Sequence, residues 1–315
     1  MNEQPRILIV GAAGQVGVEL QRSFAGFGSM VAVDLESVDL ADENQTRALV
    51  RRVQPNVIIN AAAYTAVDRA ESQQDLAMAI NATAPRVLAE EALQLNALFV
   101  HYSTDYVFNG QKEQPWVESD EPDPLNVYGA SKLAGEQAVQ QTGGRYLIFR
   151  TSWVYGPHGN NFLFTMLRLG RERDRLSIVD DQFGSPTTSI ELANATRTIC
   201  EGALAGKFGS PADWAGLYHM TCADSTTWFG FAQAIFARAE KRLQAKPPAL
   251  TPLATKDYPT PARRPRNSVL SNQKLADRLG VRLAPWQSAL DSVFQALGDA
   301  SRSAPGANNI APNPE

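Results

Sequence analysis

Tyr128 and Lys132, four residues apart in Tyr128-Gly-Ala-Ser-Lys132, are the side chains of this protein best suited to moving a proton. On a helix, positions i and i+4 share a face, so the phenol and the ammonium point into one cleft. A free tyrosine, with a pKa near ~10, is a poor proton shuttle at neutral pH. A fixed ammonium beside it favours the phenolate and draws the pKa toward the working range. The same lysine can bond the ribose hydroxyls of a nicotinamide cofactor. Spacing alone also fits an exposed helical pair, so a third element matters. The stretch His101-Tyr-Ser-Thr-Asp-Tyr-Val-Phe108 sets Ser103 and Thr104 at the end of an apolar run. A hydroxyl there can hold a carbonyl oxygen while a tyrosine protonates it. Thr104, Tyr128 and Lys132 are therefore the candidate catalytic residues of an oxidoreductase.

Such chemistry needs a hydride source, and the N-terminus offers a place to hold one. Residues 6–10 run into Gly11-Ala-Ala-Gly14-Gln-Val-Gly17, a GxxGxxG loop that opens a helix. Glycines let the chain turn tightly, let a pyrophosphate approach the amides, and let helix and strand pack closely. The helix N-terminus adds free N–H groups and partial positive charge. Gly11, Ala13, Gly14, Gln15, Val16 and Gly17 are thus expected against a dinucleotide. Asp34 ends the next apolar run, where a carboxylate can accept from the adenosine ribose hydroxyls. A negative charge there repels a 2′-phosphate, and no arginine occurs over 34–42, so the local chemistry leans toward NADH.

A sheet must bring these residues together. The first half alternates apolar runs at 6–10, 30–34, 57–60, 98–103 and 146–151 with helical spacing over 15–25, 42–53, 76–95 and 128–141. Apolar strands joined by helices predict an α/β, Rossmann-type doubly wound parallel sheet covered on both faces. Its ligands belong at the carboxyl ends of the strands, where the glycine loop, Asp34 and Thr104 all fall. After residue 154, glycines and prolines cut the chain into shorter pieces. Helices are expected there over 162–171, 189–204, 228–241 and 286–297. The expected division is a dinucleotide-binding domain over 1–154, with a segment near 187–206 returning to it, and a smaller C-terminal substrate-binding lobe over 155–299. Residues 300–315, rich in Pro, Asn and Ser, read as a disordered tail.

Composition narrows the function classes. Of 315 residues, 29 are Lys or Arg and 33 are Asp or Glu, for a net charge of −4. That balance argues against a nucleic-acid partner, which calls for a basic face. No apolar run reaches the ~18–20 residues of a membrane span. The N-terminus lacks the features of a signal peptide, so a cytoplasmic protein is expected. Cys200 and Cys222 form no CxxC pair, and the histidines lack metal-ligand spacing.

The segments GAAGQVG, NAAAYTAVDRAE, YSTDYVF, PLNVYGASKLAGE, FRTSWVYG, DQFGSPT and YPTPARRPRNS follow one another between about residues 6 and 297. In that order they resemble the dTDP-4-dehydrorhamnose reductases, extended short-chain dehydrogenases/reductases of dTDP-rhamnose biosynthesis. The resemblance implies reduction of the C4 ketone of dTDP-4-dehydro-L-rhamnose by NADPH or NADH, in a bacterial polysaccharide pathway. It implies hydride delivery to C4, a proton from Tyr128, an oxygen steadied by Thr104, and a ribose positioned by Lys132. By the same resemblance Asp39 and Leu40 flank the adenine, and Ala61, Ala62 and Ala63 leave room beside the nicotinamide ribose. Thr65 and Val67 then stand at the cofactor–substrate junction, and Asp105, Tyr106 and Trp153 line the sugar pocket. Arg263 and Arg264 offer guanidinium groups for the paired phosphates of the substrate.

Some members hold Mg²⁺ between subunits through glutamates. Glu19 and Glu191 occupy two such positions here, but Ala296 stands at the third, so no well-occupied metal site is expected. A homodimer built on that metal loses its support with it. Two other readings stay open at this stage. One is another nucleotide-sugar short-chain enzyme such as a 4-epimerase; the other is a non-catalytic regulatory subunit on the same fold.

Overall fold

Runs of Val, Ile, Leu and Phe pair side by side in the centre of the molecule. In the computed structural model, which describes residues 4–240 and 247–303, they form β1 (Arg6–Val10), β2 (Ser29–Val33), β3 (Val57–Asn60), β4 (Leu98–Thr104) and β5 (Tyr146–Thr151). All neighbours run parallel, with β1 between β2 and β3, and β4 between β3 and β5. Successive side chains leave a strand on opposite faces. Ile7 and Ile9 accordingly enter one core with Leu20 of α1 (Gln15–Ser23), and Leu8 and Val10 enter another with Leu49 and Val50 of α2 (Glu43–Val53). Every residue of β3 and β4 is buried, which explains why apolar residues run consecutively through residues 57–59 and 98–100.

The helix expected over 76–95 is interrupted. After α3 (Val67–Ala70), α4 (Gln74–Met78) passes through a π turn, Ala79–Thr83, into α5 (Ala84–Gln94). Pro85 lies in the first turn of α5. It has no N–H, and its ring would crowd the carbonyl of residue 81 in a regular helix; the wider π turn relieves both. That turn carries the fully buried Asn81. Its Oδ1 accepts from the Tyr64 N–H at 2.8 Å, and its Nδ2 donates to the Tyr64 carbonyl and to Ser131 Oγ. Asn81 thereby ties the loop after β3 to α6 (Val127–Thr142).

The second half continues with β6 (Val154–Tyr155), α7 (Phe162–Glu172), β7 (Arg175–Val179), β8 (Phe183–Gly184) and β9 (Thr187–Thr188). Then come α8 (Ser189–Leu204), α9 (Pro211–Trp214), β10 (Gly216–His219) and β11 (Thr226–Thr227). The last elements are α10 (Trp228–Ala239), β12 (Ala249–Leu253), α11 (Gln273–Leu279) and α12 (Trp286–Ser303). β10 pairs in parallel with β5 and completes a six-stranded sheet of order β10-β5-β4-β3-β1-β2. Leu192 and Ile199 of α8, with Leu275 and Leu279 of α11, join the core beside α1.

More of the second half therefore belongs to the sheet domain than the segment near 187–206. β10 and α11 fall within the span 155–299 read as the second lobe. A four-residue strand, GLYH, just after the short helix at Pro211 gives too little periodicity to declare itself in sequence. The remaining pieces share a core of their own around Tyr155, Leu163, Met166, Phe231, Ile235, Trp286 and Leu290. α12 extends to Ser303, into the stretch 300–315 expected as tail; residues 304–315 lie outside the described residues. Among the described residues no helix is long and apolar enough to cross a membrane.

Removing the Asn81 clasp leaves a buried Tyr64 N–H unpaired. Asn81→Ala is expected to cost about 1–3 kcal/mol of stability, read as a lower midpoint in urea unfolding.

Candidate active site

The carboxyl ends of β1 to β5 open onto a cavity of about 590 Å³. Its floor is the glycine loop. Gly11 has φ of 87°, a conformation that L side chains rarely adopt, and a Cβ there would lie 2.5 Å from the Ala62 amide nitrogen. A Cβ on Gly17 would lie 2.0 Å from the Gly11 carbonyl oxygen, so Gly17 sits behind the cavity and lets α1 pack on the loop. Gly14 precedes α1 and offers no side-chain cap, leaving the first helical amides free beside the cavity.

Asp34 has a second role that its position in sequence does not announce. Its two carboxylate oxygens accept from the Ala13 N–H at 2.6 Å and the Leu35 N–H at 2.7 Å. It pins the glycine loop to the end of β2, and each oxygen keeps a lone pair for a further donor. The cavity wall also includes Gly11, Ala13, Gly14, Gln15, Val16, Asp39, Leu40, Ala61, Ala62, Ala63, Thr65, Tyr128 and Lys132. Ser103, offered with Thr104 as a hydroxyl at the strand end, lines it as well, as do Leu35, Val38, Ile80, Tyr102, Thr151, Val154, Gly159 and Asn160, which the sequence did not single out. Gly159 and Asn160 come from a loop fastened to α1, where Asn161 Nδ2 donates to Gln15 Oε1 at 2.9 Å. Only tertiary contacts bring that loop to the site, and its Gly- and Pro-rich texture was the one available hint.

Lys132 is fully buried against β4. Its ammonium donates to the Tyr102 carbonyl at 2.6 Å and lies 3.4 Å from His101 Nε2. Burial pulls its pKa down to about 8, and the Glu136 charge opposes that shift. Glu136 in turn takes two bonds from Arg150, at 2.9 and 2.7 Å, and one from the Ser103 hydroxyl. All three of these side chains are buried beneath the cavity. His101, also fully buried, is held neutral by burial and by the neighbouring Lys132.

Tyr128 stands one helical turn away, in contact with a hydroxyl. Loss of solvent pushes its phenol up to about 12, a hydrogen bond with Thr104 works downward, and the Asp105 charge works upward. The expectation that Lys132 lowers the phenol's pKa does not describe this arrangement, because the ammonium is turned to the Tyr102 carbonyl instead. Thr104 donates to Asp105 Oδ1 at 3.0 Å and accepts from the Tyr106 N–H. Asp105 is buried, its other oxygen has no partner, and burial raises it to about 7, with the nearby Ser268 and Thr104 hydroxyls working downward. The Tyr106 ring meets Tyr128 edge-on, 5.9 Å between centroids. At neutral pH this group sets a protonated phenol beside a hydroxyl and a carboxyl whose pKa is raised, which suits delivery of one proton to a carbonyl oxygen.

The other expected residues are distributed around this centre. Val67 begins α3, with its N–H donating to the Thr65 carbonyl. Trp153 is half-buried and stacks on Trp228. Arg263 is exposed, its carbonyl accepting from Asn126 Nδ2. Arg264 is not free for phosphate here: it makes a two-pronged pair with Asp68, at 2.6 and 2.7 Å. Glu19 pairs with Arg22 and His158, and Glu191 accepts from the Ala284 N–H. Among the described residues no three His, Cys, Asp or Glu side chains converge as a metal site would require.

A family model described as the RmlD substrate binding domain matches residues 5–298. The chain belongs to the dTDP-4-dehydrorhamnose reductase family. The reductase of Burkholderia thailandensis is 48% identical over 292 residues, 90% of this chain and 96% of that one. That of Escherichia coli K12 is 44% identical, over 92% and 97% of the two chains. The Bacillus anthracis reductase, solved in complex with NADP, superposes with a TM-score of 0.85 at 36% identity, covering 93% of this chain and 99% of that one. In this chain the cavity, with Thr104 and Tyr128 beside it, lies at the carboxyl edge of the sheet.

Two outcomes test this geometry. Lys132 carries its charge only below about pH 8. Dinucleotide affinity, followed by nicotinamide fluorescence, should weaken as pH rises through that value, and Lys132→Met should lose the inflection. Asp105 has a folded pKa above its unfolded value, so its penalty grows as pH rises toward about 7 and is complete above it. Asp105→Asn should therefore stabilise the protein at alkaline pH by about 1–3 kcal/mol, and much less in acid, by thermal unfolding.

Proposed function

We propose that this protein reduces the C4 ketone of dTDP-4-dehydro-L-rhamnose to dTDP-L-rhamnose, with NADPH as reductant. The observation that carries the reading is a protonated Tyr128 beside Thr104 at the edge of a dinucleotide-sized cavity, in a member of this reductase family.

The cavity suits the cofactor on structural grounds. It runs from Asp34, Asp39 and Leu40, where an adenosine fits, past the uncapped N-terminus of α1 to Lys132 and Tyr128. Side chains at Gly11 or Gly17 would clash with neighbouring backbone, so the loop keeps its amides open to a pyrophosphate. Asp34 turns both oxygens to backbone amides, whose N–H dipoles partly offset its field toward a 2′-phosphate. That supports NADPH alongside the NADH its acidity favours. When bound, the dinucleotide supplies the hydride that adds to C4.

The protein's own residues do the rest. Thr104 holds the ketone oxygen, and Tyr128 transfers its phenolic proton to that oxygen as negative charge develops there. Burial keeps Tyr128 protonated through the neutral range, the state a donor needs. Lys132 bonds the ribose and brings a positive charge near the phenolate that forms. Tyr106 and Trp153 supply aromatic walls with a single polar handle each, suited to a deoxysugar. Asp105 offers its unpartnered oxygen to a sugar hydroxyl. Arg263 meets the diphosphate, and Arg264 reaches it by exchanging partners with Asp68. A cytoplasmic site of action completes the reading.

Oxidation of dTDP-L-rhamnose by NADP⁺, with a ketone trap to draw the reaction backward, is the test. Wild-type protein should generate reduced nicotinamide, and Tyr128→Phe should be slower by roughly a hundredfold or more at unchanged cofactor affinity. Turnover by the phenylalanine variant at the wild-type rate would remove Tyr128 as the donor. No turnover by wild-type protein that binds the dinucleotide would remove the substrate.

A further inference from the structure

Trp153 holds a backbone conformation that tryptophan rarely adopts, with φ of 47°. A bulky residue stays there only where its surroundings over-determine it. Three contacts do so. Its carbonyl accepts from the Thr187 N–H at 3.3 Å. Its indole edge lies over Gly184, where an added Cβ would come within 2.4 Å of Cε2. Its flat face stacks on Trp228, with ring centroids 3.6 Å apart and planes within 7°. Aromatic pairs commonly sit ~4.5–7 Å apart, so these indoles overlap closely.

Trp228 is itself fixed from several sides. It opens α10 directly after β11, whose Thr226 pairs with Gly184 of β8. Thr227 caps the helix by accepting from the Gly230 N–H at 3.0 Å, and its hydroxyl donates to Asp180. The Phe162 ring lies 4.7 Å from Trp228. One short β pairing thus brings both the bare Gly184 under the edge of Trp153 and a second indole against its face. Both tryptophans remain half-buried. In the sheet, Thr151 at the end of β5 is the register partner of Thr104, so Trp153 emerges beside the hydroxyl edge of the site.

We propose that Trp228 is a positioning residue for the sugar: stacked behind Trp153, it fixes that indole as a rigid platform whose other face receives the deoxysugar ring. The inference rests on the reading of Trp153 as a wall of the sugar pocket. Trp228 touches no reacting atom and acts through its neighbour. Its signature is a change in sugar affinity that leaves cofactor binding and the chemical step alone.

Kinetics and circular dichroism of the full chain test it together. With dTDP-L-rhamnose and NADP⁺, Trp228→Ala should raise KM for the sugar nucleotide roughly three- to tenfold, the worth of one aromatic pair, with kcat and the KM for NADP⁺ near wild type. Trp228→Phe should recover most of that loss. Two stacked indoles give an exciton couplet in the far-ultraviolet spectrum. It should be present in wild type, absent in Trp153→Phe and Trp228→Phe, and retained when dTDP-L-rhamnose saturates the site. Loss of the couplet on sugar binding overturns the proposal, because Trp153 would then be leaving its partner to reach the sugar. A wild-type sugar KM in Trp228→Ala, with a raised one in Trp153→Ala, overturns it as well. An unchanged KM in Trp153→Ala removes the underlying reading of Trp153. Should Trp228→Ala fail to fold, the wild-type couplet with and without sugar decides.

Discussion

An ammonium sealed from water must be given acceptors, and the way Lys132 receives them shapes the centre of this structure. Its bond to the Tyr102 carbonyl locks α6 onto the last residues of β4. The Glu136–Arg150 pair and Ser103 lie just beneath, so a positive charge, an ion pair and a hydroxyl share one buried layer. Breaking such a pair by removing one member costs about 3–5 kcal/mol, because the other charge is stranded. The layer therefore resists deformation. One turn earlier on the same helix, Tyr128 inherits that rigidity and meets Thr104 at the end of the strand to which Lys132 is tied.

The rest of the fold serves this junction. A parallel sheet puts every carboxyl end on one edge, so the glycine loop, Asp34, the alanines after β3 and Thr104 converge without special loops. Asp34 shows how economically the edge is built, fastening the glycine loop while facing the cavity. The second lobe contributes walls. Its separate apolar core includes the start of α10, β8 and β11 pair beside it, and together they set Trp228 and Gly184 against Trp153. The Arg264–Asp68 pair ties the segment after β12 to α3 of the first half.

Much of this was legible in sequence, for identifiable reasons. Strands such as VIIN and LFVHYST are buried on both faces and need no partner to reveal themselves. The glycine loop and the Tyr128–Lys132 spacing are local, so their geometry follows from a few consecutive residues. What escaped is long-range. The π turn ahead of Pro85 matters because Asn81 must reach Tyr64 and Ser131. β10 becomes a strand only because β5 presents an open edge to it. The spacing argument put the lysine's charge on the tyrosine, yet the fold turns it to a backbone carbonyl and leaves Tyr128 to Thr104 and Asp105. The stacking of Trp153 on Trp228 joins residues 153 and 228 through a glycine at 184, which no local pattern encodes.

The proposed reaction requires that one hydride reach C4 and that Tyr128 place one proton on its oxygen. Deuterium transfer reads the first part directly and its dependence on Tyr128 the second. Wild-type protein would be given dTDP-4-dehydro-L-rhamnose and NADPH deuterated on the transferring face of the nicotinamide, and the product examined by NMR. Deuterium is expected at C4 of dTDP-L-rhamnose, formed at a rate that collapses in Tyr128→Phe. Deuterium on another carbon, or C4 labelling that proceeds undiminished without the phenol, would contradict it.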